Sequence, residues 1–204
     1  MELLLKIILV AVPSYLIGAV PSSYIMGKLV RGIDLREHGS GNLGAANSFR
    51  VLGTKAAMPV LLFDIGKGFI SVRYFADLGG SSFAYALLAA FVVVLGHSYS
   101  LFVGFSGGKG VGTSAGAFLA LAPHATAVCF TLWLIVLLVT RIVSLASLVA
   151  AVLLPPAILV SNRIFNSETH RSILILSIAV AVLLIYTHRS NIRRLREGKE
   201  KKIF

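Results

Sequence analysis

The sequence has little charge and a single cysteine, and both scarcities narrow the class of protein. Charged residues make up 13% of its 204 residues, about half of the share that is usual in soluble domains. A soluble domain of this size needs more charge to cover its surface, so the composition excludes an ordinary soluble enzyme. The lone Cys129 excludes a disulfide-bonded scaffold. Because it lies inside an apolar run, we expect it to pack and not to perform redox chemistry.

Apolar residues are abundant instead. They make up 57% of the sequence, and the mean hydropathy is +0.89, which excludes a disordered chain. The net charge is +11, but the basic residues cluster at the edges of apolar segments. That arrangement favours membrane topology and contact with anionic lipid over nucleic acid; a cationic pocket for an anionic substrate is the other explanation. The composition predicts an all-α polytopic membrane protein.

Seven apolar segments are candidate transmembrane helices, since about 20 apolar residues cross a bilayer. The first has no small-residue cleavage pattern, so we expect a retained helix and not a signal peptide. Pro123 separates the short fourth span from the fifth, and if it only kinks one long helix there are six spans. The predicted spans are 3–24, 58–75, 83–101, 112–121, 124–139, 144–160 and 173–187.

The positive charges predict the orientation of these spans. With seven spans and an outside N-terminus, the inside segments hold 14 Lys and Arg residues and the outside segments hold 4. Lys and Arg are enriched on the cytoplasmic side, so we expect the loops after spans one and three and the C-terminal tail to be cytoplasmic. We find no repeat and no linker, and expect one domain, 1–204.

The first glycine loop, residues 39–50, reads GSGNLGAANSFR. It fits G-x-G-x-x-G by spacing, but no buried strand precedes it, so we reject a dinucleotide fold. Glycine lets a backbone turn tightly and present N–H groups to an anion, and Arg50 offers a planar fork for phosphate. The alternative is a flexible interfacial loop. Ser40, Gly41, Asn42, Gly44 and Asn47 are the other candidate contacts.

The second glycine loop, residues 107–116, reads GGKGVGTSAG. It is not a Walker A loop, because Val103 and Gly110 stand where that motif needs Gly and Ser or Thr. It is typical of an anion site, in which glycines and one lysine precede a helix N-terminus. The alternative is helix packing through Gly112 and Gly116, and both can hold. The candidate contacts are Gly107, Gly108, Lys109, Gly110 and Thr113.

The third candidate segment, residues 188–200, begins the C-terminal tail. If the last span continues as a helix, His188 and Asn191 lie one turn apart on one face, and Arg194 follows on that side. A basic anchor on lipid headgroups would explain the other arginines but not His188 and Asn191. Ser144, at the start of span six, is either a helix cap or a phosphate donor.

Asp64 and Lys67 are charged residues inside the second span, three residues apart. Charges within a membrane are costly and normally pair, so we predict a mutual ion pair that orients this span near the site. We expect His97 to make a packing hydrogen bond. No H-E-x-x-H motif, Cys/His cluster or paired acidic site is present, so the sequence implies no metal and no cofactor.

The three segments together resemble the bacterial membrane family of acyl-phosphate:glycerol-3-phosphate acyltransferases. The family patterns G-S-G-N-x-G-A-T-N-x-x-R, G-G-K-G-x-x-T and H-R-x-N-I-x-R-L occur here in order, and the size and span layout also match. Two departures are Ala46, where the family usually has Thr, and Gly112, where Ala is common.

The resemblance implies transfer of a fatty acyl group from acyl phosphate to the 1-hydroxyl of glycerol 3-phosphate, giving lysophosphatidate and phosphate. It implies a monomer in the bacterial cytoplasmic membrane, surrounded by lipid, with its active site facing the cytoplasm. A transporter for a phosphate-bearing anion is the main rival, but its site would lie near the bilayer midplane. The implied catalytic residues are Ser40, Arg50, Lys109, His188 and Asn191, and the implied binding residues are Gly41, Asn42, Gly44, Asn47, Gly107, Gly108, Gly110, Thr113, Ser144 and Arg194.

The sequence leaves two candidates for the group that accepts the proton of the acceptor hydroxyl in that reaction. Glycerolipid acyltransferases of the soluble and peripheral classes use H-x-x-x-x-D, but no Asp follows any of the five histidines at that spacing. Acyl phosphate has a good leaving group, so little base is needed. The departing phosphate takes the hydroxyl proton in one hypothesis, with Ser40 and His188 orienting the acceptor. In the other, His188 is the general base.

Overall fold

The computed structural model describes residues 1–164 and 171–203, and throughout these ranges the secondary structure is helical, with no β-strand. The chain divides into two compact units, Met1–Ala120 and Leu121–Phe204. The all-α class predicted from composition is therefore confirmed for the described residues. Whether the two units act as the single domain expected from the sequence stays a prediction.

The first unit is built around the long N-terminal helix Glu2–Ala19 and the helix Phe83–Ser98, which packs against it. Short 3-10 or π-helical turns connect its main helices at Leu35–Glu37, Ser71–Phe75, Ala76–Gly79 and Leu101–Val103. Its helices are α1 (Glu2–Ala19), α2 (Ser22–Arg31), α3 (Ala45–Leu52), α4 (Thr54–Ile70), α5 (Phe83–Ser98) and α6 (Val111–Leu121), the last residue of which belongs to the second unit.

The first predicted span, 3–24, lies within the apolar segment Glu2–Arg31, but its helix is broken near the C-terminal end of the predicted span. Helix α1 ends at Ala19, and Val20 leaves the helical region with ψ 115°. Pro21 explains the break, because proline has no N–H to donate and disfavours helical geometry in the residue before it. The chain resumes as α2 at Ser22. The break exposes the carbonyl of Val20 to side chains of the same unit.

Helices α4 and α6 approach through small residues. A Cβ placed on Gly116 of α6 would collide with the carbonyl oxygen of Ile65, and one on Gly112 would lie 3.4 Å from the Cβ of Asp64. Two backbones come this close only where a side chain is missing. The helix-packing alternative for the second glycine loop is thus confirmed, and it leaves the N-terminus of α6 available for the other role.

The second unit consists of four helices and the tail. Arg141, in the left-handed conformation with φ 61°, turns the chain between the first two helices. The side chain of Trp133 joins them by donating to Ser147 Oγ at 3.2 Å. Ile203 N donates to Arg141 O at 2.9 Å, so the tail ends at this turn. The helices are α7 (Pro123–Thr140), α8 (Val143–Ile164), α9 (Arg171–Thr187) and α10 (Arg189–Arg196).

Four helical segments in the described residues are long and apolar enough to cross a membrane: Glu2–Arg31, Phe83–Val103, Pro123–Thr140 and Val143–Ile164. The pair α9 and α10, bent by 62°, makes a fifth if it counts as one span. Helix α4 has 17 residues, three of them charged, and α6 has only 11 residues, and neither is among these segments. Several spanning helices are therefore supported, whereas the count of seven stays a prediction.

The fourth and fifth predicted spans are separate helices. Helix α6 ends at Leu121, and Ala122 has an extended φ of −147° before α7 begins at Pro123. Proline is well suited to the first turn of a helix because its missing N–H would have no partner there. The alternative of one long kinked helix is therefore wrong.

Candidate active site

The first glycine loop is held in shape by the side chain of Asn47. Its Nδ2 donates to the carbonyls of Leu35 and His38 at 3.2 and 3.0 Å, and its Oδ1 accepts from Ser40 N at 2.8 Å. Asn47 is 1% exposed, and both of its amide hydrogens are engaged by the protein. Its geometry therefore suits it to shaping the loop that presents the exposed Ser40, more than to touching a phosphate directly.

The segment that precedes this loop is stabilised by an ion pair between Asp34 and Arg36, which the sequence analysis did not identify. Asp34 accepts from the backbone N–H and the guanidinium of Arg36, and the latter also lies 5.5 Å above the ring of Tyr24. The hydrogen bond from Arg36 lowers the pKa of the Asp34 carboxyl to about 2, despite the opposing effect of burial. The pair therefore stays charged at any physiological pH.

The second glycine loop begins on the end of α5. Gly107 N donates to Ser98 O and Gly108 N donates to His97 O, each at 3.1 Å. Terminal carbonyls of a helix lack partners within it, and these two amides satisfy them. These two N–H groups are therefore engaged within the protein, and the binding roles of Gly107 and Gly108 stay predictions. The donors that remain for an anion are those of the first turn of α6, which starts at Val111.

The two glycine loops lie against each other. Asn42 Nδ2 donates to Gly107 O at 3.3 Å, and a Cβ on Gly108 would lie 3.0 Å from Leu43 O. Each loop carries one of the predicted cations, Arg50 in α3 and Lys109 before α6, and both are half-buried. The sequence predicted two anion-binding segments, and the fold brings them together in one unit.

Thr113, a predicted phosphate contact, lies deeper than expected. It is 0% exposed, and its hydroxyl has no hydrogen-bond partner among the described residues. The neighbouring Ser114 has the same property. A buried hydroxyl without a hydrogen-bond partner costs free energy. A polar ligand that reached the first turn of α6 would recover that free energy by forming hydrogen bonds with these two hydroxyls.

A buried polar cluster, defined by Ser22, Asp64, Lys67 and His97, lies beside the break between α1 and α2. The predicted ion pair is confirmed, with Lys67 Nζ 2.9 Å from Asp64 Oδ1. Ser22 Oγ donates to the same oxygen at 2.8 Å, and Lys67 Nζ donates to the exposed carbonyl of Val20 at 3.3 Å. Burying two charges is tolerable only with such partners.

In the second unit, the predicted residues converge on a carboxylate that the sequence analysis missed. Ser144 Oγ and Asn191 Nδ2 both donate to Glu200 Oε1, at 2.7 and 2.5 Å, and Arg194 Nε donates to Oε2 at 2.6 Å. Glu200 is one of only eight acids in the chain and lies in a strongly basic tail. The position of an acid among so many basic residues is the signal that could have identified it.

The Glu200 carboxyl is only 4% exposed as a side chain. Burial raises its pKa, but the hydrogen bonds from Asn191, Ser144 and Arg194 outweigh that effect, so the pKa lies below its usual value of 4.5. Glu200 is ionised at neutral pH and holds Ser144, Asn191 and Arg194 in place. The sequence predicted Ser144 to be either a helix cap or a phosphate donor. The structure adds a third role, in which its hydroxyl donates a hydrogen bond to Glu200.

His188 occupies the junction of α9 and α10 and is 3% exposed. Its Nδ1 lies 2.7 Å from Leu184 O. A carbonyl can only accept, so the ring carries its proton on Nδ1, and Nε2 is the basic nitrogen. Sequence reasoning placed His188 and Asn191 on one helical face, but a 62° bend separates α9 from α10 at this point.

The predicted site residues divide between the two units. The first unit holds Ser40, Gly41, Asn42, Gly44, Asn47, Arg50, Gly107, Gly108, Lys109, Gly110 and Thr113, and the second holds Ser144, His188, Asn191 and Arg194. Contacts join members within each set, as described above. Across residues 1–164 and 171–203, no group of three or more His, Cys, Asp or Glu side chains is arranged to hold a metal ion.

Residues 8–198 of the chain match the family model described as glycerol-3-phosphate acyltransferase. This chain belongs to the glycerol-3-phosphate acyltransferase family. The predicted family resemblance is thereby confirmed, and so is the prediction of an acyltransferase that acylates glycerol 3-phosphate.

Individual members of the glycerol-3-phosphate acyltransferase family match nearly the whole chain. A glycerol-3-phosphate acyltransferase of Chlorobium phaeobacteroides is 40% identical over 226 residues, covering 97% of this chain and 96% of the relative. One from Fusobacterium nucleatum is 42% identical over 191 residues, covering 93% and 94%.

Two crystal structures of PlsY (YgiH), an integral membrane glycerol 3-phosphate acyltransferase, share the fold. The glycerol 3-phosphate form is 35% identical with a TM-score of 0.85 and covers 96% of this chain and 94% of that one. The lysophosphatidic acid form is 34% identical with a TM-score of 0.81, covering 99% and 95%. The expectation of an integral membrane protein is confirmed by these neighbours together with the apolar helices.

Proposed function

We propose that the protein transfers a fatty acyl group from acyl phosphate to the 1-hydroxyl of glycerol 3-phosphate, releasing lysophosphatidate and inorganic phosphate. The observation that carries the proposal is the contact between the glycine loops, in which Asn42 donates to Gly107 O. It brings together two segments that each carry a cation, and both substrates of this reaction are phosphates. Family membership supplies the acceptor and the reaction class.

The donor is inferred from the chemistry that the chain lacks as well as from what it carries. No histidine is followed by Asp at the H-x-x-x-x-D spacing, so the chain lacks the base arrangement that acyltransferases of the soluble and peripheral classes use. An acyl phosphate needs less help because phosphate leaves readily. Two anion-binding segments suit a reaction in which donor and acceptor both carry phosphate.

The roles of the residues follow from the charge that develops. The 1-hydroxyl oxygen attacks the acyl carbonyl carbon, the bond from that carbon to the bridging phosphate oxygen breaks, and phosphate leaves. Arg50 and Lys109 bind phosphate, and Lys109 with the first-turn N–H groups of α6 stabilises the charge that builds during attack. Ser40, His188 and Asn191 orient the acceptor.

The hydroxyl proton passes to the departing phosphate or to Nε2 of His188. The hydrogen bond from His188 Nδ1 to Leu184 O places the proton of the neutral ring on Nδ1, so Nε2 is the nitrogen that would accept a proton in the second route. A His188→Gln variant separates them: loss of the acidic limb of the kcat/KM profile, where a general base becomes protonated, identifies His188 as the acceptor, whereas a profile of unchanged shape identifies the phosphate.

We also propose the membrane arrangement that the positive charges predict: seven spans, an outside N-terminus, and an active site facing the cytoplasm of a bacterium, in its inner membrane. The protein works as a monomer surrounded by lipid. The excess of Lys and Arg in segments assigned to the cytoplasm supports this orientation.

The proposed reaction is tested with purified protein in detergent or vesicles. Acyl phosphate and labelled glycerol 3-phosphate are supplied, and labelled lysophosphatidate is measured, with acyl-CoA and acyl carrier protein as competing donors. We expect turnover with acyl phosphate. Turnover with a thioester donor and none with acyl phosphate would refute the donor assignment.

A further inference from the structure

His97 connects the buried polar cluster with the second glycine loop. On one side, its Nδ1 lies 3.6 Å from Asp64 Oδ1, and both side chains are more than nine-tenths buried. On the other side, its Nε2 occupies the space beside Gly108 so closely that a Cβ on Gly108 would collide with it. His97 O also accepts from Gly108 N at 3.1 Å. The ring and the backbone of one residue therefore both contact Gly108.

The ion pair between Asp64 and Lys67 holds the surrounding polar groups in place. Asp64 Oδ1 is shared by Lys67, Ser22 and His97, and Lys67 also donates to Val20 O at the helix break. These contacts connect the α1–α2 break, α4 and α5 through one oxygen atom. A charged group with several partners in a dry interior has few alternative positions. The Asp64 carboxylate therefore stays in one place and restricts the motion of the His97 ring beside it.

We propose that His97 is a positioning residue for the second glycine loop, and that the Asp64–Lys67 ion pair holds its ring against Gly108. The proposal rests on the phosphate-binding role proposed for residues 107–110. Gly108 immediately precedes Lys109, so a displacement of Gly108 shifts the backbone of the loop, whereas the flexible Lys109 side chain can still bring its ammonium group to the attacked carbonyl. His97 touches neither substrate and acts through the loop.

A loosened loop should bind phosphate less well while the chemistry of the bound state changes less. Binding that is equal in the ground state and the transition state appears in KM, and the kcat value is then nearly unchanged. A merely structural role for His97 predicts the opposite pattern, in which the protein loses thermal stability and the fraction that stays folded has normal KM values.

The first test is His97→Asn, whose shorter side chain keeps a nitrogen near Asp64 but leaves the space beside Gly108. We expect the KM for at least one of the two phosphate substrates to rise about tenfold, with kcat changed by less than about threefold. The midpoint of thermal unfolding in detergent should fall by less than about 4 °C. His124→Gln, on an exposed histidine of α7, is the matched control and should keep both constants.

The second test exploits the collision at Gly108. Gly108→Ala places a methyl group where His97 Nε2 lies, so it should raise KM strongly in the wild-type background. In the His97→Asn background that space is vacant, and the same Gly108→Ala change should cost at least about fivefold less. Strong coupling of this sign is expected only for residues in direct contact. If His97→Asn does not fold, His97→Gln serves in the same cycle.

The outcomes separate this proposal from the one on which it rests. Wild-type KM values in a folded His97 variant, or simple additivity with Gly108→Ala, would overturn the positioning role alone. Wild-type KM values for both substrates in Gly108→Ala and Lys109→Ala would instead remove the phosphate-binding role of the loop. Raised KM values in all three, with non-additivity between His97 and Gly108, would support both.

Discussion

At the scale of single residues, Lys109 is the side chain on which the proposed chemistry depends most. It is the one cation of residues 107–116, and the buried Gly108 and Gly110 flank it. Its charge helps most as negative charge builds on the attacked carbonyl and the leaving phosphate. A compact ammonium fits between two close backbones, whereas a planar guanidinium needs more room.

We therefore expect Lys109→Ala to fold and insert but to lose about 3–4 kcal/mol of transition-state stabilisation, roughly a hundredfold or more in rate. Lys109→Arg should restore little. Turnover of purified variants with acyl phosphate is the measurement, and Lys55→Ala, an exposed lysine in the first turn of α4, is the control. Near-normal turnover by Lys109→Arg would mean that the side chain merely reaches for lipid headgroups.

Glu200 is the residue that organises the tail. Its carboxylate accepts from Ser144, Asn191 and Arg194, and hydrogen bonds to charged groups contribute about 1.5–3 kcal/mol each. In Glu200→Gln the amide oxygen can still accept, but the NH₂ group faces a donor of Arg194 or of Asn191. We expect lower thermal stability and lower activity at pH 7.

The pH dependence of this effect has a definite sign. The folded pKa of Glu200 lies below the usual 4.5, so its charge stabilises the fold above pH 4.5, and that stabilisation disappears as the pH falls through the folded pKa. The difference in unfolding midpoint between wild type and Glu200→Gln should thus shrink on going from pH 7 to pH 4. Glu197→Gln is the control, since its pair with Lys199 is exposed and such pairs contribute little. Equal midpoints for the two variants at pH 7 would contradict the role of Glu200.

At the scale of elements, the packing of α6 on α4 fixes where the second glycine loop can lie. Gly116→Ala should push the helices apart, because its methyl group meets Ile65 O, and overpacking of this kind costs about 1–3 kcal/mol. A lower unfolding midpoint and a higher KM should appear together, since α6 begins in the loop. Gly66→Ala in α4 meets nothing within 4 Å and should be neutral or slightly stabilising. Equal stability of the two variants would contradict this packing.

The helix boundaries also show where local signals compete. Pro21 ends α1 despite an apolar sequence that continues beyond it, while Pro155 and Pro156 lie inside α8 without ending it. Hydropathy measures the length of an apolar run and is insensitive to such breaks. Whether a proline ends a helix depends on what else can satisfy the freed backbone groups.

At the scale of the whole molecule, the orientation in the membrane is the main prediction. Single cysteines at Gly41 and Gly198 should react with an impermeant reagent only from the cytoplasmic side, and one at Ser81 only from outside; Cys129 is first replaced by Ser. Labelling of Gly41 and Ser81 from the same side would rule out the seven-span arrangement. The midpoint of thermal unfolding of each purified cysteine variant serves as the control for folding.

The sequence by itself determined the class, the family and the three segments that we propose to carry the chemistry. Composition shows whether the surface of the protein faces water or lipid. Each motif is a short continuous segment that is recognised by its residue types and their spacing. The Asp64–Lys67 pair was equally predictable, since two charges one turn apart in an apolar helix have no better partner than each other.

Only the tertiary structure decided which groups meet. Asn42 reaches Gly107, His97 fills the space beside Gly108, and Glu200 accepts from Ser144, Asn191 and Arg194. The partners in these contacts lie from 6 to 65 positions apart. The structure also showed that the amides of Gly107 and Gly108 satisfy the end of α5. Such contacts depend on how helices pack and where their unsatisfied backbone groups lie, and neither property is written in the local sequence.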